Sequence, residues 1–207
     1  MIFNKILFDF DGVLCKDYFY SNLKDSHPEV YKFINESIFG KDSNILNKWM
    51  RAEMTADDVN KYISEKTKID FNHLSDLFVK SVKAMKVDNR LIDLAKTLAS
   101  NGRKVALVTN NVDVFNSITI KNHNLNEVFP VIINSFDYGL MKHDKNGRLF
   151  EITLEKLGES DFSDTLLIDD SSAVRAAFES RGGTIFPFET FEDFEPWMNK
   201  NLLSATG

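Results

Sequence analysis

Ile6-Leu7-Phe8-Asp9-Phe10-Asp11-Gly12 is a short apolar run that ends in two acids one residue apart and a glycine. Three large apolar side chains in succession leave no face for water, so the run reads as a strand covered on both sides, as a parallel sheet requires. Moving outward, the same form recurs. Val105-Ala106-Leu107-Val108 ends at Thr109-Asn110, Val131-Ile132-Ile133 at Asn134-Ser135, Leu166-Leu167-Ile168 at Asp169-Asp170, and Thr184-Ile185-Phe186 runs into Pro187. Helical spacing separates these runs. Leu91, Leu94, Ala95 and Leu98 precede the stop Asn101-Gly102; Ile152, Leu154 and Leu157 precede Gly158; Ala173, Ala176, Ala177 and Ser180 precede Gly182-Gly183. Strand alternating with helix predicts an α/β fold built on a doubly wound parallel sheet.

The alternation is interrupted between Lys16 and Ala84, where the patterns are helical throughout. Val30, Phe33, Ile34, Ser37 and Ile38 share one face, and Ile45, Trp49 and Met50 another. Thr55 followed by Ala56-Asp57-Asp58 marks a helix start with acids in its first turn, continuing through Val59, Tyr62 and Ile63. Leu74, Leu77, Phe78, Ser81 and Val82 form a further stripe. The expected division is an α/β core of residues 1–15 and 85–207 carrying an inserted all-helical unit, 16–84.

Composition bounds the partners. The 207 residues are 43% hydrophobic and 27% charged, enough apolar surface for a packed core. Twenty-five Lys+Arg against 31 Asp+Glu leave a net charge of −6, which argues against binding nucleic acid or an anionic membrane surface. A small anionic substrate, which responds to local charge, is not excluded. The lone Cys15 forbids an intramolecular disulfide and an all-cysteine metal site. Met1 leads into an apolar run that Asp9 interrupts too early for a signal peptide, and no stretch approaches the ~20 apolar residues of a membrane span. The expectation is a soluble, cytoplasmic protein, monomer or homodimer.

The chemistry-bearing residues gather where open α/β sheets place their ligands, at the carboxyl ends of strands. Asp9 and Asp11 follow the first strand, Thr109 and Asn110 the second, and Asp169 and Asp170 the fourth, while Lys142 lies in the loop after the third. Acids crowded on one rim repel and call for a cation. Oxygen donors favour a hard divalent ion, and Mg²⁺ suits a substrate that brings a phosphate oxygen of its own. Lys142 and Thr109 would then face the bound anion. His27, His73, His123 and His143 show no metal spacing. Tyr18, Phe19 and Tyr20 either line the mouth between core and insertion or pack inside; Lys48 and Arg51 either meet a distal anion of the substrate or lie on a wet helix face.

In this order, Asp9-x-Asp11-Gly12, Thr109-Asn110, Lys142 and Asp169-Asp170 resemble the haloacid dehalogenase superfamily, in its phosphatase branch, and the helical insertion after the first motif resembles that family's C1 cap. The likeness spans nearly the whole chain. It departs from the family at Lys142, which is followed by His143-Asp144 rather than proline, so that Lys145 is the alternative lysine, and at Ala52, where many relatives have glycine. The resemblance implies a Rossmann-like α/β/α core and a Mg²⁺-dependent hydrolase of a small phosphorylated metabolite, a sugar phosphate or a related monoester. Asp9 is implied as the nucleophile that forms an aspartyl-phosphate and as a metal ligand, and Asp11 as general acid and base and, through its carbonyl, a metal ligand. Thr109 and Asn110 are implied to bind the phosphoryl group, Lys142 to hold its charge, and Asp170, with Asp169, to hold the metal. Asp11 also weighs against carbon–halogen cleavage, because a halide leaves without a proton and the family's dehalogenases lack this second acid. A phosphomutase and a non-catalytic sensor of phosphometabolites are the alternatives.

Overall fold

The computed structural model describes residues 2–41 and 43–203. Its centre is a five-stranded parallel sheet formed by β1 (Lys5–Phe8), β2 (Lys104–Thr109), β3 (Val131–Asn134), β4 (Thr165–Asp169) and β5 (Thr184–Pro187), in the order β3-β2-β1-β4-β5. All five expected strands are present. Both faces are covered, and the alternation of side chains sorts the core into two layers. Ile6, Phe8, Val105, Leu107, Leu166 and Ile168 face one cluster, and Leu7, Ala106, Val108 and Leu167 face the other. The first layer is closed by α6 (Asn89–Ser100), α8 (Leu125–Val128) and α12 (Phe191–Met198), the second by α10 (Arg148–Lys156) and α11 (Ser172–Glu179).

Between β1 and α6 lie α1 (Leu23–Ser26), α2 (Pro28–Ser37), α3 (Asn44–Met50), α4 (Ala56–Thr67) and α5 (Phe71–Ala84). The start of α4 is a capping box. Thr55 Oγ1 accepts from the Asp58 N–H, and the Asp58 carboxylate accepts from the Thr55 N–H. Asp70 caps α5 by accepting from the His73 N–H. The buried stripes of these helices form a cluster of their own around Trp49, Tyr20 and Phe78, and Val112 and Val114 of the α/β part insert into it. Tyr20 therefore belongs to this interior rather than to a mouth: it stacks on Phe78 at 4.6 Å, and its hydroxyl donates to Asn60 Oδ1 at 2.8 Å.

One reading of the helices needs correcting. The buried face of α11 is Val174, Ala177 and Phe178, and Ala173, Ala176 and Ser180 point outward. Alanines satisfy helical spacing on any face, but the larger side chains at i and i+4 release more apolar surface from water and set the rotation. After β2, a π-helical turn (Phe115–Thr119) runs into α7 (Ile120–Asn122) and α8, a path the sequence pattern did not reveal. After β3, α9 (Ser135–Tyr138) and a 3₁₀ turn (Asp144–Asn146) carry the Lys142 loop. Among the described residues no helix is long and apolar enough to cross a membrane.

Candidate active site

The chain passes from β1 to β2 and β3 on one side and then returns to β4 on the other, so the strand order reverses between β1 and β4. Loops leaving the two sides part at such a switch point and open a crevice at the carboxyl ends. Asp9 lies one residue beyond β1, and Asp169 and Asp170 close the adjacent β4. Carboxylate oxygens of Asp9, Asp169 and Asp170 all lie within 4.8 Å of one another.

Lys142 is the counter-charge. It is 1% exposed, and its Nζ donates to Asp9 Oδ2 and Asp169 Oδ2, each at 2.6 Å. Burial alone would discharge the amine, but the two carboxylates outweigh it and raise its pKa. The loop that brings it here is fixed by Asn110, whose Oδ1 accepts from the Lys142 N–H at 2.8 Å. Lys145 is exposed, on the 3₁₀ turn, whereas Lys142 is the lysine bonded to Asp9 and Asp169.

One lysine does not balance this many acids. Burial pushes Asp9 up to about 8, with Lys142 opposing and Asp169 reinforcing. Burial likewise pushes Asp11 up to about 7, and Asp170 is raised by burial and then by Asp169. The all-oxygen donor set and its charge deficit fit a hard divalent cation such as Mg²⁺. The donors divide by how engaged they are. Asp169 uses Oδ2 on Lys142 and Oδ1 on the Ser171 N–H (2.8 Å). Asp9 accepts from the Phe10 N–H at 2.7 Å through Oδ1. Asp170 is exposed and stands over Gly12, where a Cβ would come within 2.1 Å of its Oδ2. At φ +81°, glycine is required there twice, by the turn and by that close approach.

The carboxyl group of Asp11 stays outside the three-acid cluster. Its Oδ2 accepts from Asn111 Nδ2 at 2.9 Å, and Asn111 is in turn held by its N–H on Ser135 Oγ at 3.0 Å and by its Oδ1 on the Val112 N–H. The sequence marks Asn111 only as a polar neighbour, and it is the residue that aims Asp11. Thr109 is fully buried, and its Oγ1 has no hydrogen-bond partner. An unpartnered buried hydroxyl costs stability and points to a ligand oxygen.

These groups open onto a cleft of 810 Å³. Asp11, Asn110, Asn111 and Asp170 form its floor, and Phe19, Phe39, Leu46 and Met50 come from the helical insertion opposite. Asp9, 4% exposed, is not part of the cleft wall, but its carboxylate lies within 4.8 Å of that of Asp170, which is. The insertion is tied to the α/β part at one side. Asp113 accepts from Trp49 Nε1 (2.8 Å) and from the Ala56 N–H (3.0 Å), and Ser135 Oγ donates to Met50 O (2.8 Å). Arg51 is part of this seam and not a ligand for a distal anion: it forks onto Asp144, with Nη2 donating to Oδ1 at 3.0 Å and Nη1 to Oδ2. Asp144 also accepts from the Met141 N–H at 2.8 Å, beside Lys142.

Residues 4–180 match the model of a family described as haloacid dehalogenase-like hydrolase. Among solved structures, a predicted HAD-like family hydrolase from Porphyromonas gingivalis aligns over 100% of both chains at TM-score 0.74 and 15% identity. An alanine variant of a HAD family enzyme from Bacteroides thetaiotaomicron, in complex with magnesium and inorganic phosphate, aligns over 89% of this chain and 93% of that one at TM-score 0.72 and 15% identity. The L-2-haloacid dehalogenase of Xanthobacter autotrophicus aligns over 89% and 76% at TM-score 0.62 and 16% identity. At these identities the likeness is one of fold. No curated protein matches by sequence.

Proposed function

The chain belongs to the haloacid dehalogenase-like hydrolases, residues 4–180 matching that family, and on this premise we propose that it is a Mg²⁺-dependent phosphatase acting on a small phosphomonoester through an aspartyl-phosphate. In this reading residues 1–15 and 85–207 carry the chemistry and residues 16–84 are the cap that covers it. The observation that carries the proposal is Asp11: a carboxyl group raised to about 7, aimed by Asn111 into the cleft, beside but outside the acid cluster. A group that holds its proton near neutral pH can give it to a leaving alkoxide, which halide departure has no use for.

Asp9 attacks phosphorus in line, the bond to the leaving oxygen breaks, and Asp11 delivers its proton to that oxygen. Asp11, now a carboxylate, takes a proton from water as the water attacks phosphorus, and Asp9 is released with inorganic phosphate. Lys142, bonded to Asp9 Oδ2, opposes the effect of burial on Asp9 and orients it. The Thr109 hydroxyl and the Asn110 N–H donate to the phosphoryl oxygens, where charge builds in the transition state. Asp9 and Asp170 would hold the Mg²⁺, with Asp169 behind them fixing Lys142. When bound, the ion supplies screening between the phosphoryl oxygens and the carboxylates.

The test is phosphate release across a panel of metabolite monoesters, with and without Mg²⁺, beside Asp9→Asn. The amide keeps the shape and removes the nucleophile, so turnover is expected to fall by roughly three orders of magnitude or more while the fold persists. Ordinary turnover by the variant overturns the proposal. Halide release from a short 2-haloacid would establish the dehalogenase reading instead, and release that depends on an acceptor sugar would establish a mutase. Ligand-induced thermal stabilisation without turnover would establish a sensor.

A further inference from the structure

We infer that the leaving group is an uncharged alcohol with an apolar or aromatic face, an inference that deepens the phosphatase reading and rests on it. Beyond the reacting end, the cleft wall is built from Phe19, Phe39, Leu46, Met50 and Met85. Phe19 and Phe39, both in the cleft wall, stand with ring centroids 6.5 Å apart. Its volume of 810 Å³ exceeds what a phosphate and a three-carbon alcohol would fill, and it lies in the range of sites that take a molecule with a ring system.

Charge gives the second argument. Among the described residues of the wall the only cation is Lys16, and it is already used: its Nζ donates to Glu189 O and lies 5.5 Å from the centroid of the Phe188 ring. Asp17 and Glu189 are its acidic neighbours on that wall. A second phosphate or a carboxylate on the leaving group would enter between acids with no free counter-charge.

Hydrogen bonding gives the third. Asn35 is the amide that α2 contributes to the wall, and its Nδ2 is already donated to Tyr31 O at 2.8 Å. Sugar hydroxyls set against Phe19, Phe39, Leu46 and Met50 would lose water without a partner, a cost that an aromatic or alkyl group does not incur; the polar atoms of Tyr18, Asp17 and Glu189 belong to the rest of the wall. Leu46 and Met50, one turn apart on α3, are the specificity-determining side chains.

The experiment compares kcat/KM for benzyl phosphate, glucose 6-phosphate and fructose 1,6-bisphosphate, all esters of primary alcohols, with acetyl phosphate as a substrate too small to reach the wall. Benzyl phosphate is expected to exceed glucose 6-phosphate by about tenfold and the bisphosphate by about a hundredfold. Benzylphosphonate is expected to bind more tightly than methylphosphonate, with a more negative heat-capacity change from apolar burial. Leu46→Lys is expected to lower the ratio of benzyl phosphate to bisphosphate turnover by about tenfold, and Met50→Gln, a gentler change, by several-fold. Lys48→Ala, exposed on the same helix, is expected to leave that ratio at its wild-type value. A sugar phosphate or bisphosphate preferred over benzyl phosphate, or ratios unmoved by both wall variants, overturns this inference while leaving the phosphatase standing. No phosphate release from any of the substrates, acetyl phosphate included, overturns the phosphatase reading itself.

Discussion

Lys142 is held between two buried carboxylates at 2.6 Å each, so its stability effect and its chemical effect can be separated by what replaces it. Lys142→Met strands both acids without a partner, and the expected loss is about 3–5 kcal/mol of unfolding free energy together with phosphate release. Chemical denaturation in excess chelator measures the first, and turnover measures the second. Thr109 makes the opposite case. Its hydroxyl is buried without a partner, so Thr109→Val removes a cost while keeping the shape. The variant is expected to be as stable as the parent or up to about 1 kcal/mol more stable, with kcat lowered by about a hundredfold. A thermal midpoint and a kcat falling together would show that Thr109 is a structural residue. Much of this site is legible from strand ends alone: Asp9, Asp11, Thr109, Asp169 and Asp170 sit there because a parallel sheet delivers its carboxyl termini to one rim. Asn111, Asp113 and Asp144 were not legible in that way. Their partners are Asp11, Trp49 and Arg51, 100, 64 and 93 residues away, and no local pattern encodes a pairing over such distances.

Among the elements, the strands were the easiest to read. Burial on both faces leaves a continuous apolar run that needs no phase. Helices carry phase, and phase failed where side chains were small or the turn was irregular. Ala173, Ala176 and Ala177 fit the helical period, yet Val174 and Phe178 set the rotation of α11. The π-helical turn at Phe115–Thr119 spreads its residues beyond a 3.6 period, and its polar Asn116, Ser117 and Thr119 further hide it. The seam between insertion and core gathers at the end of α3 and the start of α4, where Asp113 serves both the Trp49 indole and the Ala56 N–H. Asp113→Ala leaves the fully buried Trp49 N–H unpaired and is expected to cost about 1–3 kcal/mol. Limited proteolysis between residues 16 and 84 is expected to quicken by more than cleavage elsewhere. Uniform quickening over the whole chain would mean that Asp113 supports the core and not the seam.

At the scale of the molecule, the Arg51–Asp144 fork joins the insertion to the loop that carries Lys142. The Arg51 guanidinium holds the Asp144 carboxyl below its usual 3.8. A depressed carboxyl favours the fold in its ionised form, so the contribution is complete above the unfolded value and disappears as pH falls through the lower, folded one. The gap in thermal midpoint between wild type and Asp144→Asn is expected to hold constant from pH 8 to about 5 and to close below about 3.8. A gap unchanged at pH 3 would remove the ion pair as its cause. The sheet order has a further consequence, for biosynthesis. β1 lies in the middle, and its neighbours pair at Lys104 and Thr165. The strand that delivers Asp9 therefore leaves the ribosome long before its second neighbour exists. A nascent chain stalled short of Thr165 lacks Asp169 and Asp170 and leaves that edge of β1 without its partner strand, a template for unwanted pairing between chains.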